Sequence, residues 1–314
     1  MKDVQGYVMI MSAAFFWGVS ATAAKFLLNQ QLDTLLIVQS RVSISCLLMF
    51  IFYLLFKRDL LRVALKDLWR FALLGTLGVA GANFTYYFTI KESTVATGIL
   101  IQYTAPLFVM AYAAVAREEQ ITAVKLVAAV VSLLGCFLAV GGCGAAALKI
   151  SPIVLVSGGG SVLSFAFMNI FTRHILEKYN AWTLTFYAIA FASLFWLILN
   201  PPWRIVANTP PWEVWWALAG LAVISVLIPH TLYFGGLRFV VPSRAVITST
   251  FEPVVAIASA AIILSEYLES VQVVGAALVI LAIVLLQLQR ESATGSTGKF
   301  PSSKEVNGPE LPSR

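Results

Sequence analysis

The stretch QYTAPLFVMAYAAVAREEQIT, residues 102–122, lies over STFEPVVAIASAAIILSEYLE, residues 249–269, with Pro106 on Pro253 and Glu119 on Glu266 at a constant offset of 147. Upstream the same register brings Thr85, Tyr87 and Phe88 onto Thr231, Tyr233 and Phe234 at an offset of 146, and Ser20 onto Asn169 at 149. A drift this small over half a chain points to duplication. Each copy is also an apolar run that ends in an acidic residue, so the repeated unit is built of apolar segments.

Working outward, such runs recur evenly. A helix needs roughly 20 apolar residues to cross the hydrocarbon core, because it rises about 1.5 Å per residue. Ten segments satisfy this, at about 5–27, 35–56, 68–89, 95–116, 122–142, 152–174, 181–199, 213–234, 244–265 and 270–289. The predicted fold class is an all-α membrane protein of ten transmembrane helices. Residues 1–145 form the first repeat, residues 151–290 the second, and residues 291–314 a disordered cytoplasmic tail rich in Ser, Gly, Pro and charge. Five spans per half is an odd number, so the second half enters the membrane from the opposite side and the repeats are inverted. Inverted repeats are a recurring plan of secondary transporters, with the substrate site near the midplane between the halves.

Composition agrees with a bilayer as solvent. Of the 314 residues 60% are hydrophobic and 11% charged, against roughly 25% charged in a soluble domain. Cys46, Cys136 and Cys143 show neither metal-ligand nor CxxC spacing and read as small apolar packing groups. The run from Val4 to Ala24 lacks a small-residue cleavage site, continues into Lys25, and reads as a retained helix.

The net charge of +6 reads as an orientation signal rather than as a nucleic-acid footprint. With the N-terminus inside, sixteen of the 21 Lys and Arg fall on the cytoplasmic side and four, Lys25, Lys91, Lys149 and Arg204, on the other; Arg41 lies within a span. Both termini are therefore expected in the cytoplasm of a multi-pass cell (inner) membrane protein.

Several residues stand where polarity is expensive. Glu252 lies about seven residues into the ninth span, where a charge costs roughly 2.5 kcal/mol or more unless paired, hydrated or protonated. It reads either as a substrate-amine or proton site, or as a structural carboxylate bonded to a neighbouring helix. Thr248, Glu252 and Ser259 share one face at helical spacing, a polar stripe. His230 follows Pro229 at a similar expected depth and could meet Glu252 as a proton relay, or serve as hydrogen-bonded glue. Arg41 is a candidate for a substrate carboxylate, although snorkelling to the outer headgroups is the more economical reading. A direct Arg41–Glu252 ion pair is not expected.

Pro106, Pro229 and Pro253 each remove a backbone donor within a span and mark kinks, whether along a transport path or in packing alone. Trp17, Ser20, Asn83, Tyr86, Tyr87, Gln102, Tyr103 and Asn169 add polar or aromatic surface. Glu119 and Glu266, at helix ends, read as caps for the helix that follows each, with gating as the alternative. There is no Walker A sequence, no HExxH and no Cys or His cluster, so no metal, cofactor or primary energy-coupling module is expected. An intramembrane enzyme or a channel is the rival class; its mark would be a convergent catalytic cluster or a ring of like polar groups.

Trp17-Gly18 followed by Lys25, a fourth span ending in Glu119, and Glu252-Pro253 with Glu266 in the ninth resemble the EamA-type drug/metabolite transporter family. The resemblance covers about residues 5–290 and implies two EamA repeats. It also implies a central cavity lined by spans 1, 3, 4, 6, 8 and 9, and a secondary transporter, an exporter or exchanger of small polar metabolites such as amino acids. The expected partners are that small molecule, the lipid bilayer and protons as coupling ion, with the chain acting as a monomer or homodimer.

Overall fold

Backbone N–H and C=O groups in hydrocarbon must be satisfied within the chain, which leaves the helix as the element for segments this apolar. The computed structural model describes residues 2–29, 34–93, 95–140, 151–201, 203, 211–263 and 269–288. Among the described residues every regular element is helical. The Lys25 side chain, Cys143, Glu266 and the tail 291–314 lie outside the described residues.

α1 is Lys2–Asn29 and α2 is Thr34–Phe56. α3 runs through three consecutive pieces, Leu68–Leu73, the π-helical Leu74–Ala80 and Gly81–Glu92. α4 has two, Val95–Gln102 and Ala105–Val115, and α5 is Ala123–Ala139. α6 is Pro152–Leu176 and α7 is Ala181–Leu199. α8 repeats the construction of α3, with Trp212–Ala222, the π-helical Val223–Leu227 and Ile228–Gly236. α9 repeats that of α4, with Pro242–Ser249 and Phe251–Ile263, and α10 is Ser270–Leu288.

Starts follow local chemistry. Thr122, Ser151 and Asn180 accept the backbone N–H of Lys125, Val154 and Trp182 at 3.3, 3.4 and 3.0 Å, and Pro152 and Pro242 occupy first turns, where no N–H is needed. Eight runs, lying in α1, α2, α4 and α6 to α10, are long and apolar enough to cross a membrane, and α5 is a shorter apolar helix. α3, rich in Gly, Thr, Asn and Tyr, is not among them.

The spans expected over 68–89, 95–116, 213–234 and 244–265 depart from uniform α-helix in a patterned way. The third helix of each half is partly π-wound, and the fourth is broken, at Tyr103-Thr104 and at Thr250. Proline is the physical reason for the breaks: Pro106 and Pro253, with no N–H, each follow a break by two or three residues.

α1 packs on α8 and α9, and α6 packs on α3 and α4. α2 lies against α8 and α7, α7 against α3, and α5 against α10. Each half thus lays its first helix on the third and fourth of the other, and the two fifth helices meet. At that meeting a Cβ on Gly135 would stand 2.8 Å from Gly275 O, so only glycine permits the approach. Trp196, Tyr53, Phe71, Phe234 and Tyr233 are the bulky residues of the interior, whereas Phe56, Val115, Val156, Ile198 and Ile262 point outward. An apolar exterior on this scale suits lipid rather than water.

Between α2 and α3 the chain forms two short 3-10 turns, Arg58–Leu61 and Leu65–Asp67, seated on α7. Thr183 and Tyr187 donate to Leu60 O and Leu61 O at 2.9 and 2.7 Å. Asp67 accepts from the Lys178 ammonium and, at 2.6 Å, from the Tyr179 hydroxyl. These bonds, Lys178 first, hold the Asp67 carboxyl below the usual carboxylate range.

Candidate functional site

Pro106, Pro229 and Pro253, lacking an N–H, each free a carbonyl four residues upstream, and a buried carbonyl needs a donor. In α8 Pro229 frees Ser225 O, and the Trp17 indole N–H of α1 donates to it at 3.2 Å. In α9 Pro253 frees Ser249 O, to which the Tyr103 hydroxyl of α4 donates at 3.2 Å. The same hydroxyl lies 2.8 Å from Glu252 Oε2. Two of the three carbonyls freed by these prolines therefore find aromatic donors from the opposite half.

Around Trp17 the ring of His230 stands edge-on at 5.5 Å and that of Tyr233 at 5.1 Å. Tyr233 donates to Asn169 Oδ1 at 2.6 Å, and Asn169 donates to Phe165 O at 2.8 Å. Ser20, the repeat mate of Asn169, donates to Trp17 O at 2.8 Å within its own helix. Gln102 accepts from Ser161 at 3.0 Å.

Arg41 is buried, 6% exposed, and does not snorkel. Its Nη2 donates to Asn83 Oδ1 at 2.6 Å and its guanidinium carbon lies 4.8 Å from the Tyr87 ring centre. Asn83 is aimed by its own bond to Val79 O at 2.7 Å, and Tyr86 meets Tyr87 edge-on at 5.5 Å. Arg41 Nε has no hydrogen-bond partner. Arg41 and Glu252 interact electrostatically, while Arg41 bonds to Asn83 and Glu252 to Tyr103.

The anticipated meeting of His230 with Glu252 does not occur. His230 gives its Nδ1 to Val226 O at 3.0 Å, beside the π-helical piece of α8, and turns its ring to Trp17 and Phe234. Because a carbonyl only accepts, Nδ1 carries the proton. The polar stripe is interrupted as well: Thr248 and Ser259 bond to Arg244 O and Ala256 O of their own helix, and the break at Thr250 separates Thr248 from Glu252.

Glu119 does not cap the helix that follows it. Thr122 does that, while Glu119 accepts from the Ser243 hydroxyl and, at 3.4 Å, from the Ser243 N–H at the start of α9, and pairs with Lys125 at 3.0 Å. With side chains 6% and 7% exposed, this pair ties the end of α4 to α5 and to α9 of the other half.

Two members of the cluster were not singled out beforehand. Tyr233 was visible as the repeat mate of Tyr87. Cys136 of α5, which interacts electrostatically with Tyr103 and Glu252, carries no motif that sequence could flag.

The fold and the polar interior define a multi-pass helical membrane protein with two repeated halves. The model of the EamA-like transporter family matches residues 4–141 and 153–288, and the chain belongs to that family, which lies in the drug/metabolite transporter superfamily. Among curated proteins the chain is 22% identical over 295 residues to the uncharacterized inner membrane transporter YicL of Salmonella typhimurium, covering 90% of this chain and 95% of the relative. It is 26% identical over 288 residues to an uncharacterized transporter of Archaeoglobus fulgidus, covering 90% and 99%. A solved crystal structure shares the fold with a TM-score of 0.75 at 17% identity, over 90% of this chain and 96% of that one. Family and relatives indicate a transporter rather than an enzyme, embedded in a lipid bilayer and acting on a small molecule.

Proposed function

We propose that the chain is a secondary active transporter, an exporter or exchanger, that carries a small zwitterionic metabolite such as an amino acid by alternating access. Ten crossing helices, α1 to α10, form two inverted five-helix repeats over residues 1–145 and 151–290, with both termini in the cytoplasm. One observation carries the reading: Arg41 and Glu252, opposite charges in one intramembrane cluster, are held by neutral partners, Asn83 and Tyr103, and not by each other. Intramembrane charges not paired with each other are costly, and groups of this kind mark substrate and ion pathways. A molecule with a carboxylate for Arg41 and an ammonium for Glu252 completes both. Trp17, Tyr86, Tyr87, Tyr103 and Asn169 supply the surrounding aromatic and polar surface, with protons as the coupling ion at Glu252.

Counterflow in proteoliposomes tests this, with a panel of radiolabelled amino acids beside matched amines and carboxylates lacking the second charge. Zwitterions should exchange faster than either single-charge analogue. Exchange of the single-charge analogues at equal rates would falsify the two-charge site.

A further inference from the structure

Tyr103 stands in the break of α4, and its hydroxyl lies against the break of α9, 2.8 Å from Glu252 Oε2 and 3.2 Å from Ser249 O. A phenol has one proton to give. Both acceptors need it: Glu252 because it is a carboxylate within a span, Ser249 O because Pro253 has no N–H to offer and lipid holds no water to take its place. We infer that the Tyr103 hydroxyl is a positioning switch that passes the charge state of Glu252 to the backbone break of α9. The inference rests on the reading of Glu252 as the transport carboxylate.

The physical chain is short. An ionised carboxylate is the stronger acceptor, so the hydroxyl favours Glu252 and leaves Ser249 O the lesser share. When a proton or a substrate ammonium neutralises Glu252, the hydroxyl turns fully to Ser249 O and tightens the break. No proton leaves Tyr103; only its acceptor changes. Because Tyr103 is itself the first residue of the break in α4, both discontinuous helices feel the change. Gly18 of α1 carries it further: a Cβ there would lie 2.7 Å from Glu252 O, so α1 is packed directly on this backbone.

From neighbouring helices Arg41 on α2 acts electrostatically on Glu252 and Tyr103 on α4 bonds to it, while Glu252 in turn acts on Tyr86 of α3, Cys136 of α5 and Tyr233 of α8. Arg41 carries a standing charge, and it is held by Asn83 and Tyr87. His230, also on α8, bonds to Val226 O. The Tyr103 hydroxyl bonds both the carboxylate and the freed carbonyl.

The test is amide hydrogen exchange over residues 246–256 of the full chain in lipid nanodiscs. Glu252→Gln, which fixes the neutral state, should slow exchange about two- to tenfold, the equilibrium worth of one net hydrogen bond. In a Tyr103→Phe background it should change nothing. Pro253→Ala is an independent arm that stands if Tyr103→Phe fails to fold. There the restored N–H serves Ser249 O, and Glu252→Gln should again have no effect. Equal slowing in all backgrounds overturns the switch. Wild-type counterflow by Glu252→Gln with the exchange pattern as expected upholds the switch and removes the transport reading on which it was placed.

Discussion

At Arg41 a single guanidinium meets a neutral amide on one side and an aromatic face on another, while Nε finds no partner. Arg41→Gln keeps a donor for Asn83 but removes the charge, so half-saturation for a zwitterion in counterflow should rise about ten- to a hundredfold, the worth of one charge-assisted hydrogen bond. The decarboxylated amine should be unaffected; an equal loss for both would place the carboxylate elsewhere. At Trp17 the relevant group is the indole N–H on Ser225 O. Trp17→Phe should lower stability by about 1 kcal/mol through that bond. The share due to the bond disappears in a Pro229→Ala background, where the helix supplies its own N–H. A double-mutant cycle on unfolding in mixed micelles reads this coupling, and additive losses would contradict it. None of these contacts could be read from residue spacing. Pro229 and Pro253 announced freed carbonyls, but their donors lie 208 and 146 residues away in the chain. Arg41 likewise looked free to snorkel, because its partners sit one helix further on.

Elements were more legible than their interiors. Runs such as 152–174 and 270–289 announce themselves by length and hydropathy, and α6 and α10 follow them closely. The π-wound pieces Leu74–Ala80 and Val223–Leu227 give no comparable signal, since one extra residue in a turn barely disturbs an apolar periodicity. Glycine contacts are similarly silent until packing is known, and two helices then respond with opposite signs. Gly135→Ala puts a methyl 2.8 Å from Gly275 O and should destabilise by about 1–3 kcal/mol. Gly159→Ala in α6, where a Cβ meets nothing within 4 Å, should instead stabilise by about 0.5–1 kcal/mol. Thermal unfolding of the two variants in one detergent would expose a wrong assignment by a shared sign. The 3-10 connection adds a pH signature through Asp67, whose folded carboxyl titrates below its unfolded value of about 3.9. Its stabilisation is complete above that value and is lost as pH falls through the folded value. Between pH 5 and 3 the wild type should therefore lose more stability than Asp67→Asn; parallel curves would show that the clamp contributes nothing.

On the scale of the whole molecule, duplication was plain from Pro106 on Pro253 and Glu119 on Glu266, because a fixed register survives where side chains have diverged. The exchange of helices between halves was not, since it depends on which faces meet. Topology gives a direct test: a periplasm-active reporter fused after Gln289 should be silent, and activity there would reverse the proposed orientation. Removal of residues 293–314 should leave insertion and counterflow intact, and loss of either would give the tail a part in the fold. The interleaved packing also dictates an order of birth. Asn83 and Tyr87, which hold Arg41, belong to the same half, so a chain emerging from the ribosome can shelter its most awkward charge as soon as α3 is made. Trp17 and Tyr103 must instead wait for Ser225 and Ser249, and α1 has no bed until α8 and α9 arrive. The first half is thus born as a loose, inserted intermediate whose closure is timed by the last helices to leave the translocon. The two halves expressed as separate polypeptides should accordingly be degraded alone and recovered together.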